Sequence, residues 1–442
     1  MMASSEPLTG FPFPNPTKAY WQTPPLPISD HRTTRDLPPS AKYVIIGSGI
    51  TGATIAHKLL LAEPSASVVL LEARQASSGA TGRNGGHCRP GDYLEFKKNV
   101  NSVGVEEALR VESLEENNVR AVAAFVAEHG IDCDFRARES LDVFVDRQQL
   151  EQALGALSVR QGVSVPSPTE HRVWSEKETR EELLFPEAVG AVSFQAYVLS
   201  PYKLVCALLE MSVQKGMNLQ TNTPVRQISQ DPESKVWTVR SDRGEIKAEK
   251  VILATNAYTA ALYPPLGDLL TPRRAQIAAV RPGSRIEGNP ALRRTAAVYT
   301  NDGCPYFQSR SDNVSGAGDL IFGVGSYGGV KGVEKTFDDS TINPAISDYL
   351  NNAPTTIFGE ENWGEKGESL QEWTGIIGST ADRHPFVGEA PGQEGLWICA
   401  GFNGHGMGLA FQSADALVGL VTGREKEVDG WLPKCYKLSR ML

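Results

Sequence analysis

The sequence lacks any unbroken apolar run near the roughly 18 residues a membrane helix needs, so no bilayer-spanning helix is expected. Its opening residues, MMASSEPLTGFPFPNP, have neither a basic stretch nor an apolar core, which argues against a secretory signal. There is no long basic run, and the net charge is −9. Nucleic acid and anionic membrane surfaces are therefore poor partner classes. Cysteine is sparse. Cys88, Cys133, Cys206, Cys304, Cys399 and Cys435 are scattered with no CxxC pair, which points to reduced thiols in a cytoplasmic protein. The seven histidines show no metal-ligand spacing. The final Arg440-Met441-Leu442 misses the SKL-type peroxisomal address. Asn313-Val314-Ser315 fits a glycosylation acceptor, and without a signal peptide it is expected to be unused.

What remains is a chain of 442 residues, 40% hydrophobic and 21% charged, long enough for two or three domains. Residues 1–38 are rich in Pro, Ser and Thr without an apolar period and read as an extended surface arm. From Lys42 the character changes. KYVIIG is a buried strand, SGITGATIAHKLLLA opens a helix, and SVVLLEA is a second buried strand. The three make one βαβ unit.

Gly47-Ser48-Gly49-Ile50-Thr51-Gly52 sits between the first strand and the helix. Gly47 permits the tight turn, Gly49 lets backbone approach a pyrophosphate, and Gly52 lets helix and strand lie close. The helix N-terminus offers free N–H groups to phosphates. Glu72, at the end of the second strand, suits ribose hydroxyls and would repel a 2′-phosphate. The unit alone implies a dinucleotide and does not separate FAD from NAD. No second GxGxxG is present to hold a nicotinamide cofactor.

Three further blocks separate them. The Gly-rich segment from Ala73-Arg74 through Ser78, Thr81, Gly82, Arg83, Asn84, Gly85, Gly86 and His87 follows the ribose carboxylate directly. Val251 to Tyr258 carries Ala254, Thr255 and Asn256, with Thr223-Pro224-Val225 upstream. Gly375-Ile376-Ile377-Gly378 leads through Asp382, Pro385 and Gly388 to Gly401-Phe402-Asn403-Gly404-His405-Gly406-Met407. With these blocks the chain resembles the D-amino-acid oxidase-like superfamily of FAD-dependent oxidoreductases. The likeness is to the branch with glycine and sarcosine oxidases and γ-glutamylputrescine oxidase, and it runs from about Trp21 onward.

The resemblance implies FAD as cofactor. It implies that the Gly-rich segment follows the pyrophosphate and ribityl chain, that Val225 meets the adenine, and that the Phe402–Met407 turn lies beneath the flavin pyrimidine edge. There a helix N-terminus would stabilise an anionic reduced flavin. It implies oxidation of a C–N bond of an amine or amino-acid-derived substrate to an imine, with O2 as acceptor giving H2O2. A flavin dehydrogenase with a quinone or protein acceptor, a natural-product tailoring oxidase, and a non-enzymatic flavoprotein are the alternatives. The family's carboxylate-holding Lys falls at Gly408, which favours a larger amine. Its covalent Cys has no counterpart in Gly375–Gly378.

His87, Arg83, His405 and Tyr306 are the catalytic candidates. His87 and Cys88 could each be a flavin tether, an active-site base or a plain loop contact. Phe307, Arg310 and Tyr327 fall on segments that could face the flavin, and His384 reads as a cofactor-side residue. The expected fold is α/β: a Rossmann-like, glutathione-reductase-type FAD domain from 39–95, 196–272 and 366–425. A substrate domain on a mixed or antiparallel sheet takes 96–195 and 273–365, and 426–442 is a C-terminal tail.

Overall fold

Ser40–Ile46 and Gly244–Leu253 end in unbroken apolar runs, YVII and VIL, which suits parallel strands covered on both faces. They pair in parallel, and Ser40–Ile46 also pairs in parallel with Val68–Leu71. The sheet runs in the order Phe386–Glu389, Leu396–Ala400, Gly244–Leu253, Ser40–Ile46, Val68–Leu71, Asn218–Gln220. Trp237–Ser241 and Val225–Gln230 extend it as an antiparallel flap. Helices Ile50–Ala62, Pro201–Gln214 and Gly406–Val421 pack together against this sheet. The computed structural model describes residues 10–310, 314–325, 332–365 and 367–441, so Tyr327 and Asn313 lie outside the described residues.

The second sheet has nine strands. Its main order is Ser369–Thr380, Leu270–Val280, Leu320–Val324, Pro305–Ser309, Thr295–Tyr299, Arg136–Phe144, Gly190–Val198, His87–Cys88. Thr295–Tyr299 and Arg136–Phe144 pair in parallel while the sheet's other strand pairs among the described residues are antiparallel, so the sheet is mixed. The α/β class and the Rossmann-like first layer agree with expectation.

Several boundaries move. Ser369–Thr380, assigned above to the cofactor domain, pairs along Leu270–Val280 in the second sheet. His87–Cys88 likewise forms the far edge of that sheet, against Gly190–Val198. Helix Val105–His129, assigned to the substrate domain, buries Val111, Leu114, Val119 and Val122 in the core cluster shared with Gly406–Val421. In the C-terminal segment Val428, Leu432, Tyr436 and Leu438 are buried. The N-terminal arm is not superficial either. Ala19, Trp21 and Ile28 are buried, and Arg32 bridges the sheet edge at Gln220.

Candidate cofactor and active site

The glycine turn is fixed by backbone-on-backbone approach. Gly47 has φ +106°, and a Cβ there would lie 2.6 Å from the Ala254 carbonyl oxygen. A Cβ at Gly52 would lie 1.9 Å from the Gly47 carbonyl oxygen, so only glycine lets helix Ile50–Ala62 sit this close. The N-cap is Gly49, which has no side chain to offer. Thr81 Oγ1 accepts the Ile50 N–H at 3.0 Å. The N–H groups of Thr51 and Gly52 have no acceptor within their helix and are available to an anion.

Glu72 is held ready. One carboxylate oxygen accepts the Ser48 N–H at 2.9 Å and the Ser48 hydroxyl at 2.6 Å. The other accepts the Arg74 N–H at 2.9 Å. The oxygen that accepts only the Arg74 N–H keeps lone-pair capacity for a ribose hydroxyl. Segment 220–223 is hydrogen-bonded alongside, through Glu72 N–H to Gln220 O and Thr223 N–H to Glu72 O, and brings Val225 next in sequence. These residues fit a dinucleotide with an unmodified ribose.

The loop beyond Glu72 is gripped from several sides. Arg74 forms a buried ion pair with Asp339 at 3.0 Å and also donates to the carbonyls of Phe13 and Ser78. Arg83 donates to Ser78 O at 2.7 Å, Thr374 O at 2.8 Å, Thr17 O at 2.6 Å and Thr17 Oγ1 at 3.1 Å. Its guanidinium is buried and committed to internal acceptors, which is the geometry of a scaffold residue rather than a substrate ligand. Two indoles hold consecutive carbonyls: Trp373 Nε1 donates to Arg83 O at 2.8 Å and Trp21 Nε1 to Asn84 O at 2.7 Å. Asn84 folds back on Ala80 O, Thr81 O and the Gly86 N–H. Gly82 and Gly85 are required by protein packing. A Cβ at Gly82 would meet Ser77 O at 2.2 Å, and one at Gly85 the Tyr306 ring at 2.7 Å.

At the far end, Asn256 and Asn403 hold the turn that precedes helix Gly406–Val421. Asn256 Oδ1 accepts the Gly401 N–H at 2.9 Å, Asn403 Oδ1 accepts the Thr380 N–H at 2.8 Å, and the Asn403 N–H donates to Gly378 O. Gly378 is small because a Cβ would lie 2.9 Å from the Ala257 nitrogen. No side chain caps helix Gly406–Val421, so its first N–H groups remain available. Gly404 and His405 are exposed at the mouth of this turn, while Phe402 and Met407 anchor it in the core.

The titratable groups here are held neutral. Burial, then the Arg89 charge, lowers His87 to about 4. Its Nε2 contacts the Thr295 hydroxyl and the Phe307 carbonyl. A base this weak is poorly matched to proton abstraction near neutral pH. His405 is also lowered, chiefly by desolvation, although the residue is exposed. Burial pushes Tyr306 up to about 12. The Tyr306 ring lies edge-on to His87, with centroids 5.3 Å apart. Cys88 is fully buried, points its thiol at Met407 O at 3.4 Å, and is raised to about 12 by burial, which keeps it from acting as a thiolate tether.

Other candidates fall elsewhere. Phe307 stacks in the second core, 6.2 Å from Phe322. Arg310 pairs with Asp134 at 3.0 Å beneath the Tyr20 and Trp21 rings. His384 packs against Tyr436 of the C-terminal segment. Sequence reasoning missed Arg89, whose charge reaches both His87 and His405 and which binds buried Asp142 at 3.1 Å. Its adjacency to Cys88 was the available signal. Asp339 was missed with no local signal at all.

The family model described as FAD dependent oxidoreductase matches residues 42–420. The chain belongs to this FAD-dependent oxidoreductase family. A relative described as probable oxidoreductase OrdL, from Rhizobium meliloti (strain 1021), is 26% identical over 400 residues, covering 88% of this chain and 85% of the relative. The γ-glutamylputrescine oxidoreductase of Escherichia coli (strain K12) is 23% identical, covering 88% and 85%. The crystal structure of glycine oxidase from Geobacillus kaustophilus superposes with a TM-score of 0.70 at 22% identity, covering 87% of this chain and 95% of that one. This FAD-dependent oxidoreductase thus shares its α/β fold with that oxidase over most of its length. Among its described residues no helix is long and apolar enough to cross a membrane.

Proposed function

We propose that this flavoenzyme oxidises the C–N bond of an amine or amino-acid-derived substrate to an imine, with O2 as electron acceptor and H2O2 as co-product. The observation that carries the reading is the neutral character of the site: His87, His405 and Tyr306 all resist charging. An amine enters from water as its ammonium and can give up a hydride only as the free base. Desolvation that lowers His87 acts in the same direction on a bound ammonium. FAD, when bound, would supply the two-electron acceptor for that hydride, to be reoxidised by O2.

Glu72, the glycine turn and the free N–H groups of helix Ile50–Ala62 hold the adenosine and pyrophosphate. The uncapped start of helix Gly406–Val421 offers positive dipole to charge developing on the ring system. His87 and Tyr306 serve as neutral walls that exclude water. The names of relatives that act on glycine and γ-glutamylputrescine support an amine substrate.

The test is an amine library screened in parallel for anaerobic bleaching of the flavin and aerobic peroxide release. Bleaching with prompt peroxide supports the oxidase. Bleaching without peroxide until a quinone is added replaces it with a dehydrogenase. A flavin that no amine bleaches overturns the reading.

A further inference from the structure

The arm that precedes the dinucleotide unit takes no part in the chemistry above, yet it is bonded to the cofactor loop. Trp21 Nε1 holds Asn84 O, Gln22 Nε2 reaches Ser77 O at 3.2 Å, and Thr17 takes two donors of Arg83. The glycine faces of that loop are filled by the arm as well. A Cβ at Gly82 would meet Gln22 Nε2 at 2.5 Å, and one at Gly86 would meet Trp21 at 3.0 Å. The opposite side of the same short stretch is bonded to the second sheet. The Thr17 N–H donates to Asp339 O at 2.8 Å, the Thr374 N–H donates to Thr17 Oγ1 at 2.9 Å, and Gln371 Nε2 donates to Lys18 O at 2.7 Å.

We propose that Thr17–Gln22 is a cofactor-retaining strap, which pins the Ser77–Asn84 loop against the second sheet and so slows the loss of FAD. The inference rests on the FAD assignment and goes beyond the proposed reaction. Its physical basis is the weakness of the loop by itself. Between Glu72 and His87 the only regular element is the short 3-10 turn Ala80–Arg83. Segments without a ladder open at low free energy unless side chains hold them. Thr81, on that turn, receives the first N–H of the phosphate-facing helix. A loop that swings out carries Thr81 away and leaves the Ile50 N–H at the start of that helix without its acceptor. Trp21 and Thr17 are positioning residues here: they touch the loop, not the flavin.

The experiment uses the full chain. FAD dissociation constants are read by titrating apoprotein into FAD and following flavin fluorescence, and melting midpoints are taken with and without FAD. Thr17→Val keeps shape but removes the hydroxyl that serves Arg83 and Thr374. Trp21→Phe removes the indole N–H. Each is expected to raise the FAD dissociation constant about tenfold or more, the scale of one buried donor left unpaired. Each should also shrink the gap between holo and apo midpoints, because a ligand stabilises in proportion to its affinity. Gln371→Ala removes one exposed bond between the arm and the second sheet and leaves the Thr17 anchors in place, so it should weaken FAD binding less than either variant does. If both Thr17→Val and Trp21→Phe lower apo and holo midpoints equally and leave FAD affinity unchanged, the strap idea is overturned and the arm is ordinary packing. Should Thr17→Val fail to fold, Trp21→Phe alone decides. Failure of the unaltered chain to bind FAD would instead count against the cofactor assignment.

Discussion

The carbonyl oxygen of Arg89 lies 2.5 Å from where a Cβ on Gly408 would stand. Helix Gly406–Val421 therefore presses its first turn directly onto the backbone beside His87 and Cys88. No side chain of any length fits at 408 while that contact persists, so a substrate-holding lysine at this position is excluded by the path of the chain. Gly408→Ala is expected to cost about 1–3 kcal/mol, as overpacking does in a tight core. Gly408→Lys should cost more and lower flavin content. Thermal denaturation of both variants, with flavin-to-protein absorbance ratios, checks this. A Gly408→Lys protein that melts like the parent and keeps full flavin would contradict the packing seen here.

Gly52→Ala sets a Cβ against the Gly47 carbonyl at 1.9 Å. The helix must move away from the strand, and the phosphate-facing N–H groups move with it. The variant is expected to fold, because the second sheet does not depend on this contact, and to purify without yellow colour. Absorbance near the flavin band after gel filtration reads the outcome.

Glu72→Gln retains shape but loses the charge that accepts three hydrogen bonds from Ser48 and Arg74. Hydrogen bonds to a charged acceptor are worth about 1.5–3 kcal/mol, so FAD should bind roughly ten- to a hundredfold more weakly. Titration calorimetry of apoprotein with FAD gives the number directly. Unchanged affinity would place the ribose elsewhere.

Asp339→Asn removes a charge from an ion pair whose two side chains are almost fully buried. Arg74 is then left without its counter-charge, and breaking such a pair costs about 3–5 kcal/mol. The double variant Arg74→Met, Asp339→Leu should recover part of that loss. Urea denaturation of the single and double variants separates the two outcomes.

Acid stability is set in part by histidines that fold in their neutral form. Burial lowers both His57 and His87 to about 4 from an ordinary value of 6.5. The unfolded chain thus binds protons more readily than the native one across that interval. Stability is fully present above about pH 6.5 and falls as pH drops toward 4, by about 3 kcal/mol for a fully buried group. His57 lies in the core against Phe125, far in the chain from the catalytic candidates, with Nδ1 unpartnered. His57→Leu should flatten the melting-temperature profile between pH 6.5 and 4. A profile as steep as the parent's would assign the acid sensitivity elsewhere.

The dinucleotide unit was readable because its residues are dictated locally. Gly47 and Gly52 answer to backbone atoms within a few residues or one strand away, and Glu72 sits at a fixed distance along the βαβ path. His87 was readable as a position but not as a chemical group. Its depressed proton affinity comes from burial and then from the Arg89 charge, and its ring contacts, Thr295 and Phe307, lie more than two hundred residues on. Ser369–Thr380 falls within the 366–425 range expected for the cofactor domain and pairs in the second sheet, since an apolar strand reads the same whichever sheet receives it. Arg83 looked like a ligand because a lone arginine in a glycine loop carries no hint of its acceptors. Those acceptors, Thr17 and Thr374, come from opposite ends of the chain. Asp339 had no periodicity or motif to mark it.

The order of strands in the first sheet has a bearing on how the protein is made. Its centre, Ser40–Ile46, is synthesised early, but its neighbour Gly244–Leu253 comes two hundred residues later and the flanking Leu396–Ala400 near the end. The helix that completes the flavin end closes only at Val421. The nascent chain must therefore leave the ribosome almost entire before a dinucleotide can be captured, with one apolar edge of Ser40–Ile46 unpaired until Gly244–Leu253 arrives. Such long-delayed pairing folds slowly and exposes sticky edges. Yield in a host should thus respond to chaperone supply and to a lower growth temperature.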